Sequence, residues 1–451
     1  MKFLNTPYEY YRQLTDSDLS SAQRSAAHMQ EYIKNSEAVY TIGPNKKIVL
    51  YSLYIPQLFT SDTAELFEGV CTTMYTILEK VITEYENNAD YRALFGFDKR
   101  LEELILRPAR YQSKLPIARI DIFFNPEDSS FKFCEFNADG SSAMNEDRIL
   151  NLAAQETDTF KKFAVKYDVK TYELFDSWVN EFLNIYRTSE NPKNNPNIAI
   201  VDFIKYEPSF EFKRFCNQFR SHGLNCEICD IRDLKYDDGA LISPSGMKID
   251  AIYRRAVTCD IMADYDNVQP FINAVKDENV VLIGDFKTQV IHNKLVFSIL
   301  YHDMTKQFLS AEENEFVEKH IPFTTVLTTE AVKGHNVLAE KDKWVIKPQD
   351  SYASKGFHAG VECETDEEWA NAVTQCIGND YILQEYIKPY EIENIDLLHN
   401  PNAEYQKYSS ITGLFVYNGK FAGIYSRIAK TSIISTQYSE MSLPSMVTVE
   451  K

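Results

Sequence analysis

No stretch of the 451-residue chain approaches the roughly 18 consecutive apolar residues that a membrane span needs. The opening, Met1-Lys2-Phe3-Leu4-Asn5-Thr6-Pro7, lacks the apolar run of a secretory signal. Cysteine is sparse. Eight are scattered along the chain, and only Cys226 and Cys229 form a CxxC, with no second pair at zinc spacing. Reduced, mostly structural thiols are expected, and with them a cytoplasmic protein. Positive charge is in deficit, 47 Lys and Arg against 66 Asp and Glu, for a net charge of −19. That balance argues against non-specific nucleic-acid or anionic-membrane binding, which rests on clustered cations. An anionic ligand held by a few local cations stays open. No Ser-His-Asp signature, HExxH or Walker A sequence occurs, and no internal repeat or low-complexity segment.

What is present suits a globular α/β chain. The apolar share, 44%, can bury a large core, and about 150 residues per domain gives about three folded units. Leu66, Phe67, Val70, Met74, Ile77, Leu78, Val81, Ile82 and Tyr85 recur at helical spacing and predict a helix over 61–86, with Asp62 and Glu65 as its N-terminal capping pattern. Strict alternation predicts a β-hairpin from strands 117–124 and 131–137. A helical region follows to about residue 188, then a polar linker over 189–196. Apolar strands at 198–203, 224–229, 249–253 and 280–283, with a helix over 209–222, argue for an open, largely parallel sheet. In such a strand Cys226 and Cys229 point to opposite faces, which argues against a redox pair. A helix over 289–302 carries Lys294. Later come strands 344–348 and 381–387, a loop with Lys355 and Gly356, a helix over 365–377, and a hairpin over 410–428 turning at Asn418-Gly419.

The first hairpin carries the most informative chemistry. Alternation puts Arg119 and Asp121 on one face with Ile117 and Phe123, and Glu135 and Asn137 on one face with Phe131 and Phe133. A register that sets Asp121 opposite Glu135 also sets Arg119 opposite Asn137, so all four polar groups converge. Two carboxylates and an amide oxygen suit magnesium, a hard cation that usually shares its shell with phosphate. A solvated hairpin face on which Arg119 pairs with Asp121 satisfies the same pattern.

The segment Glu135-Phe136-Asn137-Ala138-Asp139, preceded by Arg119-x-Asp121, resembles glutathionylspermidine synthase and its circularly permuted ATP-grasp relatives. The resemblance runs over most of residues 110–430, through 249–254, Asn293-Lys294, Val345-Ile346-Lys347-Pro348, Gln384-Glu385-Tyr386, and Thr412-Gly413-Leu414-Phe415-Val416 with Gly423 and Arg427. It implies a permuted ATP-grasp architecture: a mostly helical scaffold over 1–110, a metal-binding hairpin with helices over 111–190, a Rossmann-like unit over 191–290 and nucleotide-binding lobes over 291–451. By the same resemblance Asp121, Glu135 and Asn137 would hold two magnesium ions on ATP. Arg119 and Arg427 would grip the phosphoryl group, and Lys294 and Lys347 would touch the ATP phosphates. Lys355 and Gly356 would close over them, and Gln384 and Glu385 would sit at the adenine edge. Ser141 and Ser142 fall where the family holds its acid substrate. Ala143 replaces a family cysteine there, and the amidase domain of some relatives has no counterpart.

The implied activity is amide formation between a carboxylic acid and an amine through an acyl phosphate, driven by ATP. A peptide-like acid and an amine or polyamine fit as partners. A small-molecule kinase, or a nucleotide-binding protein without catalysis, uses the same site.

Overall fold

A computed structural model describes residues 6–43, 46–351, 355–400, 402–434 and 440–451. The long helix runs Ser61–Asn87 and buries Phe67, Val70, Met74, Ile77, Leu78, Val81, Ile82 and Tyr85 along one stripe. Its cap differs from the expected one. Thr60 accepts from the Thr63 amide at 3.2 Å, which leaves Asp62 inside the first turn, where a negative charge favours the helix dipole.

The chain builds several sheets, and one of them positions the site. Its strands run in the order Met441–Leu443, Lys420–Ala429, Tyr405–Tyr417, Ile117–Asn125 and Ser130–Asn137, with Glu391–Ile395 also pairing Tyr405–Tyr417. Every pairing is antiparallel. Asn418 (φ 49°) and Gly419 (φ 83°) turn the late hairpin, both in the left-handed region a two-residue hairpin turn requires. Segments that the resemblance assigns to separate units thus form one layer.

The expected register of the first hairpin is observed: Asp121 faces Glu135 and Arg119 faces Asn137. The expected companions of Glu135 are corrected. Ile122 pairs with Phe133, so Cys134 is an extra residue, and the strand flips its faces there. Phe131, Phe133 and Phe136 all turn into the core beside Ile120, Ile122 and Phe124, away from Glu135 and Asn137. A second irregularity, at Ala422, separates Phe421 from the face shared by Gly423, Tyr425 and Arg427. Each bulge turns aromatic side chains into the core and away from the polar set.

The parallel sheet is also present, in the order Val281–Ile283, Ala251–Arg254, Ile198–Asp202, Cys226–Asp230. Ile198 and Ile200 pack into one core, Ala199 and Val201 into another, as expected when both faces are covered. Cys226 and Cys229 divide between the same two cores. The helical region before it is interrupted by the strand Tyr167–Lys170, which pairs with Ser445–Glu450. Nor is 289–302 one helix. It breaks at Asn293 (ψ 125°), whose side chain accepts from the Leu295 amide at 2.9 Å. Lys294 lies in that break, its amide donating to the Gln349 carbonyl at 2.8 Å. A third sheet of four antiparallel strands carries Lys347 on Trp344–Pro348 and Gln384 on Tyr381–Glu385.

Phe136 ties the hairpin to this break, stacking on Phe297 with ring centroids 4.8 Å apart. Phe136→Ala should lower stability by about 3–5 kcal/mol, read as a fall in the denaturant midpoint, since a buried aromatic is removed from a packed core.

Candidate active site

Asp121 is fully buried and sits at the centre of the polar face. Arg119 grips it with two parallel bonds, Nε to Oδ1 at 2.7 Å and Nη2 to Oδ2 at 3.0 Å. Arg427 donates to Oδ2 from two strands away, and the Asn137 amide nitrogen donates to the same oxygen at 3.1 Å. The strand between, Tyr405–Tyr417, places Gly413 opposite Asp121. A Cβ there would lie 2.8 Å from Arg119 Cδ and 2.8 Å from Asp121 Oδ1. The missing side chain is the room in which Arg119 lies against Asp121. Burial pushes the Asp121 pKa up, and the two guanidiniums oppose that push. Arg427 is raised despite its burial, held charged by Asp121, Glu440 and Glu135.

Glu135 and Asn137 lie at the rim of this cluster. The Asn137 amide nitrogen donates to Glu135 Oε1 at 3.2 Å as well as to Asp121. That places its amide oxygen on the opposite side, since a flipped amide would set oxygen against two carboxylates. Burial opposes the charge on Glu135, but Lys294, Arg427 and Arg119 outweigh it and hold its pKa well below the ordinary range.

Lys294 and Lys347 come to this rim from two other elements. Lys294 Nζ donates to the Ser351 carbonyl at 2.6 Å. Burial lowers its pKa, Glu135 opposes, and Lys347 adds to the lowering, so the two lysines share one neighbourhood with Glu135. Lys347 Nζ donates to Gln384 Oε1 at 2.8 Å, and Gln384 is fixed by its bond to Thr324 Oγ1 at 2.9 Å. Glu385 does not join Gln384. Alternation turns it to solvent, where its carboxylate accepts from the Phe323 amide at 3.4 Å. Gly356 (φ 72°) closes against the strand end: a Cβ would lie 2.7 Å from the Tyr381 hydroxyl and 2.9 Å from Pro348 Cγ. Burial raises the pKa of Asp260, and Lys355 is near enough to oppose that rise.

The loop after the hairpin joins this patch to the parallel sheet. Asp139 and Arg254 form a buried ion pair at 2.6 Å, and Asp139 also accepts from the Thr258 amide at 2.6 Å. Ser141 donates to the Asn137 carbonyl, and its own carbonyl accepts from Arg255. The Ser142 carbonyl accepts from Arg119 Nη1 at 2.9 Å. Gly140 (φ 65°) is required here, because a Cβ would stand 2.8 Å from the Arg255 carbonyl oxygen. Behind Ser142 opens a cavity of about 430 Å³ that also reaches Arg255 and Phe212. Six carboxylates line it, Glu37, Glu146, Asp202, Glu207, Glu211 and Asp260, against the single cation Arg255. Sequence reading missed these residues, along with Glu440 and Tyr425. They are dispersed over the chain, and the motif Glu135–Asp139 was the only local signal that something must receive Asp139.

The donor set fits a magnesium ion in part. Glu135 and the Asn137 amide oxygen present hard ligands at the rim, and magnesium commonly takes one or two protein oxygens with phosphate supplying others. Asp121 lies beneath two guanidiniums with both its oxygens accepting hydrogen bonds, so Glu135 and Asn137 are the more open of the three expected ligands. Among the described residues no three His, Cys, Asp or Glu side chains converge as a metal cage.

Gly413→Ala should cost about 1–3 kcal/mol by overpacking the Arg119–Asp121 pair, seen as a lower denaturant midpoint. Gly69→Ala is the control: nothing lies within 4 Å of its added Cβ. In mid-helix it should be neutral or stabilising by up to about 1 kcal/mol. Asp202 gives a pH prediction. Burial pushes it up to about 6 from 3.8, Arg255 opposes, and Asp260 and Asp230 add to the rise. Its contribution to stability is therefore complete below about pH 3.8 and lost as pH rises through about 6. Thermal melts of Asp202→Asn should gain on the wild type across that window and run parallel to it above pH 7.

No family profile matches the chain, and no curated protein matches it. Among solved structures it superposes on a glutathione synthetase-like effector, GSS30, from Globodera pallida in its apo form, with a TM-score of 0.59 at 12% identity. The match covers 94% of this chain and 96% of that one. A D-cycloserine synthetase aligns with a TM-score of 0.28 at 13% identity, over 56% of this chain and 92% of that one. A candidate gamma-glutamylcysteine synthetase from Methylobacillus flagellatus KT aligns with a TM-score of 0.32 at 10% identity, over 87% and 90%. The last two scores carry no weight for this chain. The first establishes that the chain shares, along nearly its whole length, the fold of a glutathione synthetase-like effector.

Proposed function

We propose that this chain is an ATP- and magnesium-dependent ligase that joins a carboxylic acid to an amine through an acyl phosphate, on an ATP-grasp scaffold. The observation that carries the reading is the convergence of Arg119, Arg427, Lys294 and Lys347 on the rim formed by Glu135 and Asn137. Phosphoryl transfer needs positioning and charge neutralisation more than covalent help from the protein. Asp121 aims the two guanidiniums at one place, and their forks match the oxygens of a phosphoryl group in flight. Lys294 and Lys347 hold the ATP phosphates. Glu135 and the Asn137 oxygen would hold magnesium, which would supply positive charge beside the phosphates. Gln384 keeps Lys347 in place through its bond to the ammonium. Lys355 and Gly356 belong to the loop that covers the phosphates.

The acid is placed beside Ser142 and Arg119, where the acyl phosphate forms, and the amine enters from the cavity behind them. The lining supports this order. With six carboxylates against one arginine, an ammonium is favoured there and a polyanionic acid is not. Amide formation requires the activated acyl group because a carboxylate anion has no competent leaving group.

The test is ADP release across a panel of acids and amines, with hydroxylamine as a common trap and mass analysis of the products. A ligase yields ADP, phosphate and an amide; a kinase yields ADP and a phosphorylated acceptor. Glu135→Ala should abolish turnover while the unfolding midpoint shifts little, because Arg119 keeps Asp121 and Arg427 keeps Asp121 and Glu440. Substantial residual turnover would remove Glu135 from the metal role.

A further inference from the structure

We infer that Glu146, on the cavity wall beside Ser142, accepts the proton of the attacking ammonium. The inference rests on the ligase reading and adds the residue that readies its nucleophile. Ammonium has no lone pair and cannot attack, so the second half-reaction needs a base within reach of the amine.

Geometry singles out Glu146. It stands in the first turn of the helix Met144–Gln155, immediately after Ala143, which takes a left-handed φ of 87°. That turn lets the Ser142 carbonyl accept from Arg119 while Ser142 and Glu146 both line the cavity. One short segment therefore touches the phosphoryl-gripping arginine and the amine's chamber. The groups facing Glu146 are Glu211 from the helix Phe210–Ser221, Tyr425 and Arg427 from the strand Lys420–Ala429, and Glu440. Both carboxylates that face it have a cationic partner: Glu211 pairs with Arg255 at 3.0 Å and Glu440 with Arg427 at 3.5 Å. Among the described residues Glu146 makes no ion pair, so no resident cation competes with an incoming ammonium for its carboxyl. Burial pushes its pKa up to about 8, with Glu211 and Glu440 adding to the rise and Tyr425 and Arg427 opposing it. A carboxyl in that range is matched to an alkylammonium far better than an ordinary one.

The step balances. The ammonium gives one proton to the Glu146 carboxylate, and the freed lone pair bonds to the acyl carbon. The tetrahedral adduct collapses by breaking the bond from carbon to phosphate oxygen. Phosphate leaves with that electron pair and takes the second proton from nitrogen.

Two nucleophiles test it, used with the acid that releases most ADP in the panel. Hydroxylamine is largely uncharged at neutral pH and needs no such acceptor, whereas the preferred amine does. Glu146→Gln should lower the ratio of amide to hydroxamate by about 100-fold or more, in line with the loss of a general base. It should also flatten the rise of kcat with pH in the amide reaction, and Glu146→Asp should restore part of that rise. Equal loss with both nucleophiles, or an unchanged pH profile, overturns the role of Glu146 and leaves the ligase reading intact. A wild type that forms neither hydroxamate nor amide with any acid overturns the ligase reading and the proton acceptor with it.

Discussion

The carboxylate of Asp121, buried beneath two arginines, is the contact on which the rest of the site depends. A lone carboxylate at that depth would protonate, and a lone guanidinium beside it would be driven outward. Together they hold each other charged and fixed, with Asn137 closing the remaining approach to Oδ2. Arg427 and Asp121 are 306 positions apart in the chain. The cluster forms only when the sheet has brought the late hairpin against the early one. Gly413 is a geometric condition for the cluster, because a Cβ on the intervening strand would press on both Arg119 and Asp121. Such a buried pair adds little net stability over an apolar replacement. Its value lies in orientation: two guanidiniums are held in one pose about the same carboxylate.

The legible parts of the fold were those written in local period. The 61–87 helix, the register of the first hairpin and the Asn418-Gly419 turn all follow from spacing that side-chain geometry enforces over a few residues. Bulges are where that reading fails. Cys134 and Ala422 each add one residue against a partner strand, and a period of two then assigns every later side chain to the wrong face. Phe131 and Phe133 went astray this way, while Glu135 and Asn137, on the near side of the bulge, did not. The break at Asn293 was equally invisible, because its apolar neighbours keep helical spacing across it. What interrupts the helix is the extended backbone of Asn293, held by its own side chain and by the Gln349 carbonyl.

The candidate site divides the same way. The hairpin residues announce themselves because they are close in sequence and alternate. The cavity residues do not: Glu37, Glu146, Asp202, Glu211 and Asp260 come from separate elements, and a half-buried glutamate on a helix has no local mark that distinguishes it from a solvated one. They become neighbours through packing: Asp139–Arg254 and Ser141–Arg255 fix the loop after Asn137 on the parallel sheet, and Asn145 and Arg148 bring in Glu37 and Glu211.

Charge is therefore sorted within a few residues' span. A chain with a net charge of −19 concentrates four cations at the hairpin rim and six carboxylates around the adjoining cavity. Ser142 is the hinge between the two, its carbonyl against Arg119 and its side chain exposed at the cavity edge. A reaction between an anionic mixed anhydride and a cationic nucleophile needs just this division. The anhydride must be held by cations until it reacts, and the nucleophile must be drawn in by anions and then neutralised before it can attack. Placing both fields in one chamber would cancel them. Under the proposed ligase reading each field would act on its own reactant, and the left-handed Ala143 is the backbone feature at which the surroundings change.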